Sequence, residues 1–244
     1  MKVSINIPFW YTKEDRLNNL KITYHLLKGL SDYLITKGID ISINVFEFSF
    51  DKQYFEEAVY LPVEGEFNKA LKLNTALKYL KENNKPDIVS FNDSDCFVDR
   101  VDYDNVYNVI KGFNKKHYYC NNFIKVSPDT KINLEKLEID RKFIAYRFMG
   151  GLLQALGGMW FADFDTIYEI GGFDERYVNW GGEDEDIGKR LILKDVTPKI
   201  LPYRSYHLHH EVAPTKKLNN EEQLNILKND NTIVRKTLLN NYTI

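Results

Sequence analysis

The chain of 244 residues is long enough for one substantial α/β domain, and a 43% hydrophobic share excludes a disordered polypeptide. Lys and Arg number 33 against 35 Asp and Glu, for a net charge of −2, so the basic excess of a generic polyanion binder is missing and nucleic acid is not an expected partner. No apolar run approaches the length of a membrane span, and Cys96 and Cys120 make neither a disulfide framework nor a metal knuckle.

Read as reduced core thiols, the two cysteines suit the cytoplasm; peripheral membrane association stays open. Met1-Lys2 runs straight into Val3 to Phe9, an apolar stretch too short for a signal core. Val3-Ser4-Ile5-Asn6-Ile7 alternates like a strand and ends at Pro8. Leu17, Leu20, Tyr24, Leu27, Leu30 and Leu34 fall at helical spacing, with Gly38 closing that helix. Ile41 to Phe48 predicts a second strand, and Phe67, Ala70, Leu71, Leu77 and Leu80 a second helix that stops before Pro86. Asp87 to Phe91 reads as a short buried strand that runs directly into Asn92-Asp93-Ser94-Asp95. Strand, helix, strand, helix, strand argues a parallel sheet flanked by helices, with ligands beyond the carboxyl ends of the strands.

The second half is less regular. Lys125 to Arg141 is polar and reads as a loop. Gly150-Gly151 and Gly157-Gly158 punctuate the approach to a strand at Met159 to Ala162, and a short helix is expected over Asp165 to Ile170. Gly171-Gly172-Phe173-Asp174 follows, then Trp180-Gly181-Gly182-Glu183-Asp184-Glu185-Asp186 leading into a helix through Ile187 and Leu191. Leu224, Leu227, Val234 and Leu238 suggest a last amphipathic helix. With no repeat and no clear linker, one domain over 1–244 is expected, with a nucleotide-binding half (1–100), an acceptor half (101–215) and a C-terminal helix (216–244).

Three clusters carry candidate chemistry. Asp93 and Asp95, one residue apart beyond a strand, can converge on a hard cation such as manganese or magnesium; Asp and Asn also favour plain solvated turns. An EF-hand is excluded, because Val98 stands at the sixth loop position and Asp104 at the place of the bidentate Glu. In Trp180 to Asp186, glycines allow close backbone approach to a ligand, and acids suit a helix N-terminus. Simple capping explains one such acid; four adjacent carboxylates repel one another and call for a ligand, a metal or a proton to move. In His207-Leu208-His209-His210, a strand would put His207 and His209 on one face and His210 on the other. The cluster reads either as a metal ligand source or as a surface group.

Taken together these motifs resemble the GT-A glycosyltransferases, nearest the β-1,4-galactosyltransferases, the chondroitin-polymerase type and related family 2 enzymes. Ile7-Pro8-Phe9 resembles their first-strand motif, and Glu66 to Asn74 their Phe-Asn-(Arg/Lys)-Ala helix. Asn92 to Asp95 resembles their Asp-x-Asp motif. Gly171 to Glu175 followed by Trp180 to Asp184 is similar to their acceptor and catalytic motif, and the histidines fall where they place a third metal ligand. After Pro8-Phe9 the galactosyltransferases carry arginines, whereas this chain has Trp10, Tyr11 and Thr12 before Lys13.

The resemblance implies a mixed α/β GT-A fold and a UDP-sugar donor transferred to a glycan or glycoconjugate acceptor. It implies Mn2+ or Mg2+ held by Asp95, Asp93 and His210, with His207 in reserve, and Asp93 shared with the donor ribose. Pro8, Phe9, Phe67, Lys69, Trp180 and Gly182 would line the donor site. Asp184 would act as general base and Glu183 would hold the acceptor; Asp184, where retaining relatives carry Asn, implies inversion. A metal-dependent nucleotidyltransferase and a non-catalytic glycan-binding module remain as alternatives. The first usually wants a basic Gly-rich loop near the start, which this chain does not carry, and the intact acidic and imidazole set speaks against the second.

Overall fold

A computed structural model describes residues 1–65, 67–140, 158–178 and 181–211. The expected helix over 216–244, Gly150, Gly151, Gly157, Glu66 and Trp180 lie outside the described residues. The first half follows the predicted alternation: β1 (Lys2–Phe9), α1 (Glu14–Thr36), β2 (Asp40–Glu47), β3 (Val59–Tyr60), α2 (Lys69–Asn83) and β4 (Ile88–Phe91). Next come β5 (Cys96–Val98), α3 (Tyr103–Lys111), β6 (His117–Lys125) and a small antiparallel hairpin of β7 (Ile132–Asn133) and β8 (Glu138–Ile139). Last are β9 (Ala162–Asp163), α4 (Phe164–Glu169), α5 (Glu183–Leu193) and β10 (Thr197–His207).

The central sheet has the order β3-β2-β1-β4-β9, parallel except for the edge strand β9, which runs antiparallel to β4. A second sheet, β5-β10-β6, is joined to the first by a bridge in which Tyr119 and Phe161 exchange backbone hydrogen bonds of 2.8 and 2.9 Å. Helix α1 buries Leu17, Leu20, Leu27, Leu30 and Leu34 in one core with Val3, Ile5 and Ile7 of β1. Its C-terminus closes with the Gly38 amide on the Ile35 carbonyl and the Ile39 amide on the Leu34 carbonyl, a paired arrangement that satisfies two orphan acceptors. Helix α2 buries Ala70, Leu73, Ala76, Leu77 and Leu80 in a second core with Phe46, Phe91 and Trp160. Its cap is Asn68, whose side chain accepts from the Leu71 amide at 2.9 Å.

One expectation is corrected here, and the expected strand at β1 proves buried on both faces. Ser4 and Asn6, which alternate with its apolar residues, are buried like them. β1 is a central strand covered on both sides, as parallel strands are. Its polar side chains survive by pairing: Asn6 donates to the Ser90 carbonyl, Ser4 donates to Asn6, and Asn44 on β2 donates to both. Lys125 to Arg141, expected as a loop, is more than that, since its described part carries the hairpin that buries Ile139. Leu137 lies in the left-handed region at its tight turn.

Candidate functional site

The site begins at the turn between β4 and β5. Asn92 braces it from inside, donating to the backbone carbonyls of Asp93 (2.8 Å) and Cys96 (2.6 Å). The chain reverses with the Cys96 amide on the Asp93 carbonyl. Asp93 and Asp95 therefore leave one tight turn at the carboxyl end of a central strand.

Strand β10 brings the imidazoles there. It runs antiparallel to β5 with His207 opposite Cys96, and one residue further on the Leu208 amide donates to the Asp95 carbonyl at 2.8 Å. His207 Nε2 lies 3.5 Å from Asp95 Oδ1 and His210 Nε2 lies 3.3 Å from Asp95 Oδ2. The expected division of the histidines is thus corrected. β10 stops at His207, alternation ends with it, and the turn that follows swings His210 back onto the face of His207. His209 does not join them; its backbone carbonyl accepts from Asn19.

Both rings are fixed for one role. His207 Nδ1 donates to the Leu208 carbonyl at 2.9 Å and His210 Nδ1 donates to the Glu211 carbonyl at 2.8 Å. A carbonyl only accepts, so each Nδ1 carries a proton, and each Nε2 faces Asp95 as the ring atom that would meet a metal. Burial also holds the His210 imidazole below its ordinary range, which keeps it neutral. One carboxylate oxygen and two imidazole nitrogens lie within 4.8 Å of one another. This donor set fits a divalent transition metal such as manganese. Asp93 forms a second such group with Asp95 and Cys96. The Cys96 thiol is pushed well up by burial and by the two aspartates, so it belongs to the core rather than to a metal.

A second charged cluster adjoins the first. Gly181 and Gly182 both adopt positive φ, 103° and 94°, and Gly182 is the cap from which α5 starts. A side chain at Gly182 would be strained in this left-handed conformation. Glu183 and Asp184 open the helix, where its dipole favours negative charge. Lys69, the first residue of α2, meets them: its Nζ lies 3.1 Å from Glu183, 3.2 Å from Asp184 and 3.5 Å from Asp93. Burial would lower the Lys69 ammonium, but the three carboxylates outweigh it and hold its pKa well above the ordinary value. Burial pushes Asp184 up to about 7, with Lys69 pulling the other way and Glu183 and Asp93 adding to the rise. Asp93 is pushed up by burial too, but Lys69 and His207 hold it below the usual carboxylate range. Its other oxygen accepts from the Gly158 amide at 3.1 Å. Asp93 thus links the imidazole cluster to the lysine cluster.

Sequence reasoning missed Arg16. Its guanidinium donates to Asp95 Oδ2 at 2.7 Å, from the first turn of α1. A cation in a first turn opposes the helix dipole, and that misfit was the available signal. It also missed how α2 anchors the loop before α5. Asn74 accepts from the Phe173 amide and donates to the Phe173 carbonyl and to Glu175, while Asn68 donates to the Glu175 carbonyl. A Cβ on Gly172, at φ 65°, would collide with the Asn74 side-chain oxygen. Arg190 ties the same loop to α5 through the Ile170 and Gly172 carbonyls and Asp186.

Where β1 ends and α2 is about to start, Phe67 lies against Trp10 with ring centroids 4.7 Å apart, and Pro8, two residues before Trp10, is half-buried. The Phe9 ring is buried in the core instead, so at this edge it offers backbone, its carbonyl accepting from Phe48.

Residues 138–211, which include α4, α5, β10 and the histidines, match the family model described as the N-terminal domain of galactosyltransferase. The whole chain is similar to the catalytic domain of Drosophila β-1,4-galactosyltransferase 7 in complex with xylobiose, with a TM-score of 0.56 at 16% identity over 99% of this chain and 84% of that one. The chain has the GT-A fold of these galactosyltransferase structures. A mutant of the same Drosophila enzyme, in complex with manganese, UDP-Gal and xylobiose, shares the GT-A fold at a TM-score of 0.55 and 14% identity, over 98% of this chain and 83% of that one. GalNAc-T7 with UDP, GalNAc and Mn2+ has a TM-score of 0.56 at 12% identity, covering 88% of this chain and 46% of that longer GT-A protein. No curated protein matches the chain by sequence.

Proposed function

We propose that this GT-A chain is an inverting, divalent-metal-dependent glycosyltransferase that moves a hexose or N-acetylhexosamine from a UDP-sugar to a glycan hydroxyl. The observation that carries the proposal is the union of two clusters through Asp93: an Asp95–His207–His210 group suited to a metal, and Asp184 held beside Lys69. The manganese, UDP-sugar and glycan in the related structures support the same substrate class.

Asp95, His207 and His210 would hold the metal, with Asp93 as a further ligand or a ribose contact. Bound there, the metal would supply Lewis-acid stabilisation of the departing diphosphate. Arg16 places fixed positive charge against Asp95 and Lys69 against Asp93. Asp184 would accept the proton of the acceptor hydroxyl. A carboxylate raised to about 7 is a stronger base than an ordinary one and is still ionised in large part near neutral pH. Glu183, buried against Lys69, would fix the position of that group. One base and one direct displacement give inversion. Trp180 would pack on the sugar. Because both halves of the chain feed one cluster, we also read 1–244 as a single working domain. The buried, unpaired Cys96 and Cys120 support a reducing compartment such as the cytoplasm.

The test is UDP-sugar hydrolysis and transfer to glycans, measured with manganese and after chelation. Turnover that requires the metal is expected. Turnover indifferent to chelation would overturn the metal assignment, and glycan binding without any turnover would favour the non-catalytic module.

A further inference from the structure

Arg16 stands in the first turn of α1, next to Asp15, where the helix dipole presents its positive end. A cation there is unfavourable unless a carboxylate holds it. Asp95 does so, its Oδ2 accepting from Arg16 Nη1 at 2.7 Å. The two partners differ in exposure: the Asp95 side chain is 4% exposed and the Arg16 side chain 27%, so the guanidinium reaches in from the surface onto a buried carboxylate. The same Oδ2 faces His210 Nε2 at 3.3 Å. Arg16 thus sits on the atom that a metal held by Asp95 and His210 would use. A plain ion pair fastening α1 to the turn is the simplest account of the contact. It does not explain why the arginine takes the one carboxylate grouped with the two imidazoles.

Charge separates the two accounts. Imidazoles bind metals as neutral ligands, so Asp95 brings the only negative charge to its group with His207 and His210, and Arg16 already matches it. Asp93, the other carboxylate of the turn, has Lys69 at 3.5 Å, an ammonium that also serves Glu183 and Asp184. Loading this group with a divalent ion alone would leave surplus positive charge around a buried carboxylate, where water screens poorly. A metal that arrives with a polyphosphate brings net negative charge instead, and a guanidinium attracts it. We propose that Arg16 sets what the metal site selects: it opposes the free divalent ion and favours the ion already paired with a polyphosphate anion. This rests on the metal-dependent transferase reading and deepens it, because a site so biased stays largely unloaded until its anionic partner is present.

The experiment compares two ligands on the full chain and on Arg16→Met: free manganese, titrated by electron paramagnetic resonance, and the preformed manganese–pyrophosphate complex, titrated by calorimetry. Arg16→Met should bind free manganese roughly 10-fold or more tighter than the wild type, and the complex roughly 10-fold or more weaker, the scale of one unit charge acting over a few ångströms near a protein surface. Arg16→Gln, also uncharged, should shift both in the same directions and reads the same question should the methionine variant fail to fold. Arg16→Lys, which restores the charge, should restore the wild-type preference. Opposite shifts distinguish this role from a structural one, since a loosened α1 would weaken both ligands together. An uncharged variant that binds free manganese no tighter, or the complex no weaker, would overturn the role of Arg16 and leave the metal-dependent reading standing. Wild-type protein that binds neither free manganese nor the complex would overturn that reading and this inference with it.

Discussion

The Leu208 amide donates to the Asp95 carbonyl at 2.8 Å, fastening the segment that carries the imidazoles to the turn that carries the aspartates. Residues more than 100 positions apart in sequence thereby share one small volume through backbone, before any side chain or ion is considered.

The first expectation concerns that volume. Asp95→Ala should abolish manganese binding and nucleotide-dependent turnover. His207→Ala and His210→Ala should each weaken manganese binding by about 10–100-fold or more, the range seen when even an outer partner of a metal ligand is removed. Titration of manganese followed by electron paramagnetic resonance checks all three. Normal binding in both histidine variants would refute the ligand set.

Asp184→Asn should leave UDP binding nearly intact while turnover falls by roughly 10²–10⁴-fold, the scale of general-base loss. Near-normal kcat in this variant would show that another group takes the proton.

The pH dependence follows from the same carboxyl. A base must be ionised, so kcat should rise through about pH 7 on the acid side, with the limb set by Asp184. Stability runs the other way. Because burial raises the folded-state pKa above the ordinary 3.8, the protonated form favours the fold, and that contribution is fully present below about pH 4 and lost as pH climbs to about 7. Thermal melts of Asp184→Asn should lack this decline between pH 4 and 7. A wild-type minus variant Tm difference that is flat across the window would contradict it.

Lys69 neutralises three carboxylates from one buried position, so removing it leaves them facing one another. Lys69→Met should cost about 3–5 kcal/mol, as expected when one member of a buried ionic group is deleted. It should also move the acid limb of the kcat profile to higher pH, since the ammonium pulls the Asp184 pKa down. Denaturant titration and a pH–rate profile read the two effects separately.

Asn74→Ala tests the anchoring of the loop before α5. The change orphans the buried backbone groups of Phe173, which should cost about 1–3 kcal/mol. If the loop positions Asp184, kcat falls while UDP affinity is preserved; loss of stability with unchanged kcat would assign Asn74 to the fold alone.

Much of this architecture is legible from periodicity, because β1, α1, β2, α2 and β4 bury regular apolar stripes whose spacing survives in the sequence. The Asp93–Asp95 pair is legible because it sits just past such a strand. What pattern alone does not reveal depends on partners distant in the chain. Ser4 and Asn6 look like solvent-facing residues until Asn44 and the Ser90 carbonyl are brought alongside. The orientation of His210 depends on where β10 ends, which pairing with the three-residue strand β5 decides. Nothing in the sequence sets Lys72 apart from the other lysines of α2, and Arg16 shows only its misfit with the helix dipole; the folded chain turns the arginine onto Asp95 and buries the lysine beneath Trp10.

The irregularity in β10 between Ile200 and Arg204 has a consequence for how such chains can diverge. Upstream of it, the strand can gain or lose a residue and the break can absorb the slip. From Arg204 to His207 there is no such buffer, and a single insertion would turn His207 to the opposite side of the sheet. Length variation among descendants of this chain should therefore gather before Arg204, leaving the stretch up to the histidines at constant length.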